Sequence, residues 1–491
     1  MESSQSRAAL EEFIRQHAEW LVVRDEDPGF YLRAREIEFH SRGTETHIRF
    51  MHDLGLENRV MEKFTLSELG IKVEALDPTD GTLSDISLTP RIPRTALSEN
   101  IEQSKRRSAS AIADAWRRLV PGSKTELTTP TPLRKIAELV LESRTGARTI
   151  GLADLTGEVS ARTILATGLF KLLRAQDSSS AIQMGLTFFC WKKQIGQLLE
   201  LLDTVSLRTR KNITVYEILY IDESGAEIAI HETHRPRHTI GLRPTTEPRT
   251  AFASSVLELD PTSIDVVTKD KGDEIRYHGL PFARVFNIAG TESVWFGIGR
   301  SQPLDSLEAL DEFTRLLEDL KEYRYPLAAN RRHEYFRLAQ EAWLESLLRR
   351  DIGAIDPTMI VSPVYNQFPL ERGRADLFAL RNDGRLVVLE VKTSRDREAV
   401  LQIAKYLDQV GFALQQDPSS FEEYFGHRYV SPAPPIAYLV GPMSAQHPDT
   451  DLLRTALHKR YEMYVYELNE NWRERVVVSR VRLLGNDSVR E

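Results

Sequence analysis

Residues 373–394, GRADLFALRNDGRLVVLEVKTS, constrain the fold more than any other stretch of this chain. Two apolar runs flank Asn382-Asp383-Gly384, and that turn chemistry predicts an antiparallel hairpin. Residues two apart in a strand share a face, so Glu390 and Lys392 project together while Val387, Leu389 and Val391 cover the other side. Asp376 is expected near the middle of the facing strand, amid Leu377, Phe378 and Leu380. Charges on an otherwise apolar hairpin are costly unless they pair or hold a metal. Three of them converging there define a candidate site rather than a core.

The residue types suit one chemistry. Two carboxylates, completed by a backbone carbonyl and water, make the oxygen-rich shell that Mg²⁺ prefers, with Mn²⁺ as the alternative. A metal in that shell polarises a phosphodiester and activates a water. Lys392 would orient or deprotonate the water, or stabilise the charge that develops on phosphorus.

From about residue 331 to 485 the pattern resembles the PD-(D/E)xK nuclease superfamily. RAD at 374–376 supplies the first acid and EVK at 390–392 the E-x-K element, with Ala375 where the family has proline. The resemblance implies a restriction-endonuclease-like mixed β-sheet flanked by helices. It also implies an upstream helical acid that helps hold the metal. Glu345 in EAWLESLL is the choice, Glu341 one turn earlier the alternative, and Glu334 a further competitor. Gln402 and Tyr406 match the Q-x-x-x-Y element of one branch of the superfamily, and their spacing puts them on one helix face to hold substrate or orient the active-site strand. Arg374 is a candidate to steer phosphate, with a structural salt bridge as the equal alternative.

The expected fold class is therefore multidomain α/β, the nuclease-like domain (331–487) being preceded by α+β and helical modules. Residues 1–85 read as a small α+β or β-rich module, followed by a Pro-, Asp-, Ser- and Thr-rich linker. Residues 97–206 read as a helical region: one helix ends before Pro121-Gly122, another spans TPLRKIAELVLES, two surround Gly157, and a fourth spans 182–205. DLTGEVSARTILATGLFKLL resembles a helix-turn-helix with Ser160, Arg162 and Thr163 opening a recognition helix. The extra Glu158 and Gly168 favour plain bundle packing instead. Residues 212–325 read as a β-rich module plus a long helix. His231, His234 and His238 lie close in sequence, but Pro236 and the spacing argue against zinc. Lys105, Arg106, Arg107, Arg117 and Arg118 are read as a solvated helix face, and Cys190 as a core residue of an apolar helix.

Composition narrows the rest. A single cysteine excludes an intrachain disulfide and a thiolate zinc site. No apolar run reaches the ~18 residues of a membrane span, and Met1 to Glu12 lack the apolar core of a secretory signal. A cytoplasmic location, with no membrane partner, is expected. Net charge of −8 argues against a protein coated in positive potential, yet leaves room for a local basic track. The expected function is a metal-dependent nuclease acting on DNA more readily than RNA, in defence against foreign DNA or in repair. The upstream two-thirds would serve recognition, regulation, homo-oligomerisation or docking of a protein partner. The rival readings are a non-catalytic nucleic-acid-binding protein and an accessory subunit of a larger complex.

Overall fold

The computed structural model describes residues 2–24, 30–42, 45–52, 55–67, 70–78, 83–91, 94–128, 135–177, 184–222, 224–231, 250–269, 272–288, 291–361 and 375–485. The chain is multidomain and mixed α/β, and it divides into two compact units. The first comprises Met1–Pro121, Thr125–Leu139 and Tyr220–Glu227; the second comprises Gly122–Lys124, Val140–Leu219 and Ile228–Glu491.

In the first unit, helix α1 (Glu2–Arg15) precedes seven strands: β1 (Glu19–Arg24), β2 (Phe30–Arg33), β3 (Ile37–Arg42), β4 (Glu45–His52), β5 (Gly55–Ser67), β6 (Gly70–Leu76) and β7 (Leu83–Pro90). They form one antiparallel sheet in the order β2-β1-β7-β6-β5-β4-β3. Its core gathers Leu10, Trp20, Val22, Ile48, Phe50, Val73 and Leu88. Strand β7 lies inside the stretch expected to be a linker. Its Ser84, Ile86, Leu88 and Pro90 alternate inward, and the sheet supplies the backbone partners that Pro- and Ser-rich composition hides. Helix α2 (Arg94–Leu119) follows, with Arg106 paired to Glu102 and Arg117 to Asp114 on the same helix. Those two arginines fit the reading of a solvated face, whereas Arg118 donates to the Ala226 carbonyl at 2.7 Å and Lys105 is half-buried.

The region expected to be helical carries strands: β8 (Lys124–Thr128), β9 (Ile136–Glu142), β10 (Arg148–Asp154) and β11 (Met184–Trp191). IAELVLE alternates buried and half-buried, a period of two that the helix-like Thr131-Pro132 start masks. Residues 150–154 are strand, so the helix-turn-helix and the bundle alternative both fail. A strand, a loop and then one helix, α3 (Ala161–Asp177), stand there instead. The apolar run 184–191 is the buried strand β11, and only α4 (Lys192–Leu202) of the expected fourth helix is helical. Periodicity cannot separate a fully buried strand from a buried helix. Cys190 is buried as expected, but in that strand, where burial pushes its thiol pKa up.

Short helix α5 (Leu207–Arg210) leads to β12 (Ile213–Asp222), and β13 (Gly225–His231) comes next. Strands β10, β11 and β12 pair in parallel, joined through α3 and α4, which is a βαβαβ arrangement. After α6 (Ala251–Leu259), five strands make an antiparallel meander: β14 (Ile264–Lys269), β15 (Gly272–Tyr277), β16 (Leu280–Ile288), β17 (Thr291–Phe296) and β18 (Gln302–Pro303). Helix α7 (Leu307–Tyr323) packs Phe313, Leu317 and Leu320 into the meander's core. His231 ends β13, whereas His234 and His238 lie outside the described residues.

Arg324, immediately after α7, has no solvent exposure. Its guanidinium donates to the carbonyls of Tyr277, His278, Tyr335, Leu338 and Ala339 at 2.7 to 3.3 Å and stacks on Trp343. It thereby ties the meander to the start of the C-terminal domain. There, α8 (Glu334–Arg337) and α9 (Gln340–Arg350) precede β19 (Met359–Val361), β20 (Leu377–Arg381) and β21 (Leu386–Val391). Helices α10 (Ala399–Gln416) and α11 (Ser419–Glu422), strand β22 (Ile436–Pro442), helix α12 (Thr450–Thr455) and strands β23 (Glu462–Leu468) and β24 (Val478–Leu483) complete it.

The six strands form a mixed sheet in sequential order, with β21-β22-β23 parallel and the other pairs antiparallel. One face packs Leu377, Ala379, Val387, Leu389 and Val391 against Trp343, Leu344 and Leu348 of α9. Helix α10 packs against β21 and β22. Among the described residues, no helix is long and apolar enough to cross a membrane.

Candidate active site

Asp376 is not mid-strand as expected but directly precedes β20, and the register pairing Leu377 with Leu389 brings it beside Glu390 at the end of the two strands. Asp376 accepts the amide hydrogen of Val391 through Oδ2 at 2.7 Å. Glu390 is 1% exposed, pointing away from the face that carries Val387, Leu389 and Val391. Its Oε1 receives the Lys392 ammonium at 2.7 Å, while Oε2 is buried with no hydrogen-bond partner among the described residues. Lys392 leaves the strand end with its amide on the Val440 carbonyl at 2.9 Å. Gly441 permits that path, because a Cβ there would sit 2.1 Å from the Lys392 carbonyl oxygen.

Helix α9 supplies acids from the other side. Glu345 is buried and accepts from Arg349 at 3.1 Å. Glu341 reaches the Thr393 amide at 3.5 Å, a marginal contact. The charges of Glu345 and Glu341 both push the Asp376 carboxyl up, that of Glu345 more strongly.

Electrostatics record the crowding. Burial, then the negative charge of Glu345, pushes the Asp376 carboxyl up to about 7. Burial, then Asp376, raises the Glu390 carboxyl well above the usual carboxylate range. For Lys392, burial works against the charge, but the adjacent Glu390 outweighs it and the pKa rises. Among the described residues, no group of three or more His, Cys, Asp or Glu is gathered closely enough to close a metal shell alone.

Gln402 and Tyr406 share one face of α10, joined by a 3.0 Å hydrogen bond from the Gln402 amide to the phenol oxygen. Tyr406 is buried. The other oxygen of this pair, Gln402 Oε1, accepts from the guanidinium of Arg162 in the first turn of α3. Sequence reading places Arg162 at a helix start but gives it a different role, and no local signal connects it with residues some 240 positions away. Arg374 lies outside the described residues.

No family model and no curated protein matches this chain. Solved structures similar to it include an EndoMS–dsDNA complex, at 13% identity over 49% of this chain and 72% of that one, with a TM-score of 0.19. EndoMS in its apo form is similar at 9% identity over 39% and 88% of the respective chains, with a TM-score of 0.13. At such scores the functional reading rests on the side chains themselves.

Proposed function

We propose that the C-terminal domain is a metal-dependent nuclease of the PD-(D/E)xK type, with Asp376, Glu390 and Lys392 at its centre and DNA, before RNA, as substrate. One observation carries the reading: Glu390 is buried with Oε2 unpartnered among the described residues, while the charges of Asp376 and Glu345 crowd the same site. Carboxylates buried this close together work against folding unless a positive charge offsets them, which supports a cation-binding role.

The donors fit a hard divalent cation. Asp376 and Glu390 would hold Mg²⁺ or Mn²⁺, with Glu345 in support. Two carboxylates are enough, because Mg²⁺ keeps several waters and takes oxygens from its substrate. When bound, such an ion supplies Lewis acidity to the phosphodiester and lowers the pKa of a water. Hydrolysis adds the water oxygen to phosphorus and breaks one P–O ester bond, the water losing a proton and the leaving oxygen gaining one.

Lys392, held protonated against Glu390, is suited to orient that water and stabilise the negative charge that develops on phosphorus. It is a poor base for the water's proton. The Val391 amide on Asp376 and the hydrogen bond from the Lys392 amide to the Val440 carbonyl keep both groups in register. Gln402 and Tyr406 would contact the substrate or brace the strand. The upstream modules would recognise the target or a partner, and a setting in defence or repair suits that division.

The test is cleavage by the purified full chain of single-stranded DNA, duplex DNA and RNA in Mg²⁺ or Mn²⁺. Asp376→Ala and Lys392→Ala should each lower the rate by about a hundred- to a thousandfold, and EDTA should abolish it. Cleavage that survives either substitution would sink the site assignment. Cleavage appearing only with a partner protein would favour the accessory-subunit reading.

A further inference from the structure

Asp154, at the C-terminal end of β10, has no solvent exposure. Its carboxylate accepts from the amide and hydroxyl of Thr156, the amide of Val159 and the side-chain amide of Gln194, at 2.6 to 3.1 Å. Gln194 also donates to the Val159 carbonyl, and the Trp191 indole to the Asp154 carbonyl. Ser160 then caps α3 through the Thr163 amide at 3.0 Å. The loop 155–160 is held from several sides, so the first turn of α3 is aimed rather than loose.

That turn is aimed at the C-terminal domain. Thr163 donates to Glu398 at 2.6 Å, and further along the helix Arg397 donates to Thr167 at 3.0 Å. Arg162 donates to Gln402 and stands 4.0 Å from Glu398. Its positive charge is felt by the Glu390 carboxyl. Yet the Arg162 side chain keeps 38% of its exposure, and a guanidinium has five N–H donors, so an edge remains to meet a ligand. Asp376, Glu390, Glu345 and Glu341 make the centre acidic, and Lys392 is already engaged by Glu390. An anionic strand entering here needs a further cation, and the guanidinium fork matches phosphate geometry.

We propose that Arg162, supplied by the upstream βαβαβ module, is a substrate-binding residue of the nuclease centre that grips a backbone phosphate next to the cleaved linkage. This rests on the nuclease reading above. The catalytic site is then built from two parts of the chain, and the upstream module is part of the active enzyme rather than an appendage.

The test uses the full chain. Binding of a fluorescent DNA duplex with single-stranded ends is measured by anisotropy across a salt series, in an Asp376→Asn background. Cleavage kinetics are measured in Mg²⁺ without that change. Arg162→Ala should weaken binding about tenfold and reduce the salt slope by about one, raising KM more than it lowers kcat. Arg162→Lys should keep the slope while losing part of the affinity. A scan replacing single phosphates by neutral methylphosphonates should find one linkage that matters to the parent protein but not to the Arg162→Ala variant. Thr163→Ala, which loosens the tether but spares the charge, should keep both the slope and that linkage effect.

An unchanged slope and methylphosphonate scan in Arg162→Ala, alongside normal cleavage, would overturn the proposal and leave the nuclease reading intact. Arg162-dependent binding without cleavage in Mg²⁺ or Mn²⁺ would overturn the nuclease reading and, with it, the place of Arg162 in a cleaving centre, leaving only its grip on phosphate. A chain that binds no nucleic acid would overturn both.

Discussion

Replacing Asp376 by Asn should stabilise the metal-free C-terminal domain while slowing cleavage by about a hundred- to a thousandfold. Asn keeps the shape and an oxygen to accept the Val391 amide, now met at 2.7 Å, but removes the charge that Glu345 and Glu390 oppose. A rise of the Asp376 carboxyl from its ordinary 3.8 to about 7 corresponds to roughly 4 kcal/mol held against the ionised form. The residue keeps some exposure although its carboxyl is largely buried, so about 2 to 4 kcal/mol is the expected gain at pH 8.

The pH dependence has a definite sign. Between 3.8 and about 7 the folded protein keeps a proton that the unfolded chain releases, so wild-type stability falls as pH rises through that window. The Asn variant lacks this term. The gap between the two should be near zero at pH 4 and widest above pH 7. Because the chain is multidomain, global denaturation is a blunt probe. Hydrogen exchange of the β20–β21 amides in EDTA reports the local free energy instead. Mg²⁺ should then raise wild-type protection and leave the Asn variant unmoved. A variant less protected than wild type at pH 8, or a gap that ignores pH, would refute the electrostatic reasoning. Equal stabilisation of both by Mg²⁺ would refute the metal assignment.

Two further outcomes follow from the surroundings of the site. Arg324→Leu removes a donor from the carbonyls of Tyr277, His278, Tyr335, Leu338 and Ala339, of which Ala339 keeps the Trp343 amide; a loss of about 3 to 5 kcal/mol should appear as faster exchange across both the meander and α9, and a loss under about 1 kcal/mol would contradict its role as a tie. Gly441→Ala places a methyl against the Lys392 carbonyl, where backbone rather than a flexible side chain must yield; a stability cost of about 1 to 3 kcal/mol and at least tenfold slower cleavage are expected, and unimpaired turnover would show that Lys392 does not need its present path.

Local pattern carries the hairpin unaided. The two-residue period, the Asn-Asp-Gly turn and the charges at odds with their apolar neighbours are written in consecutive positions, and the structure sets Asp376 beside Glu390 as that pattern implies. The same local logic misreads IAELVLE and the run 184–191, because a capped start and a solid apolar stretch suit helix and strand alike. Strand β7 is hidden in linker-like composition for the converse reason: its partners β1 and β6, not its own residues, make it a strand.

What only the tertiary structure decided is what surrounds the three residues of the hairpin. Sequence leaves Glu341 and Glu345 as alternatives, whereas packing of α9 against the sheet brings both charges near enough to raise the Asp376 carboxyl. Sequence also ends the Q-x-x-x-Y pair at Tyr406, whereas the fold adds Arg162 to it from some 240 residues upstream. Periodicity tells a side chain which face of its own element it occupies. It carries no record of which other element will cover that face, since that depends on the long-range packing of helices and sheets that meet only in the folded chain.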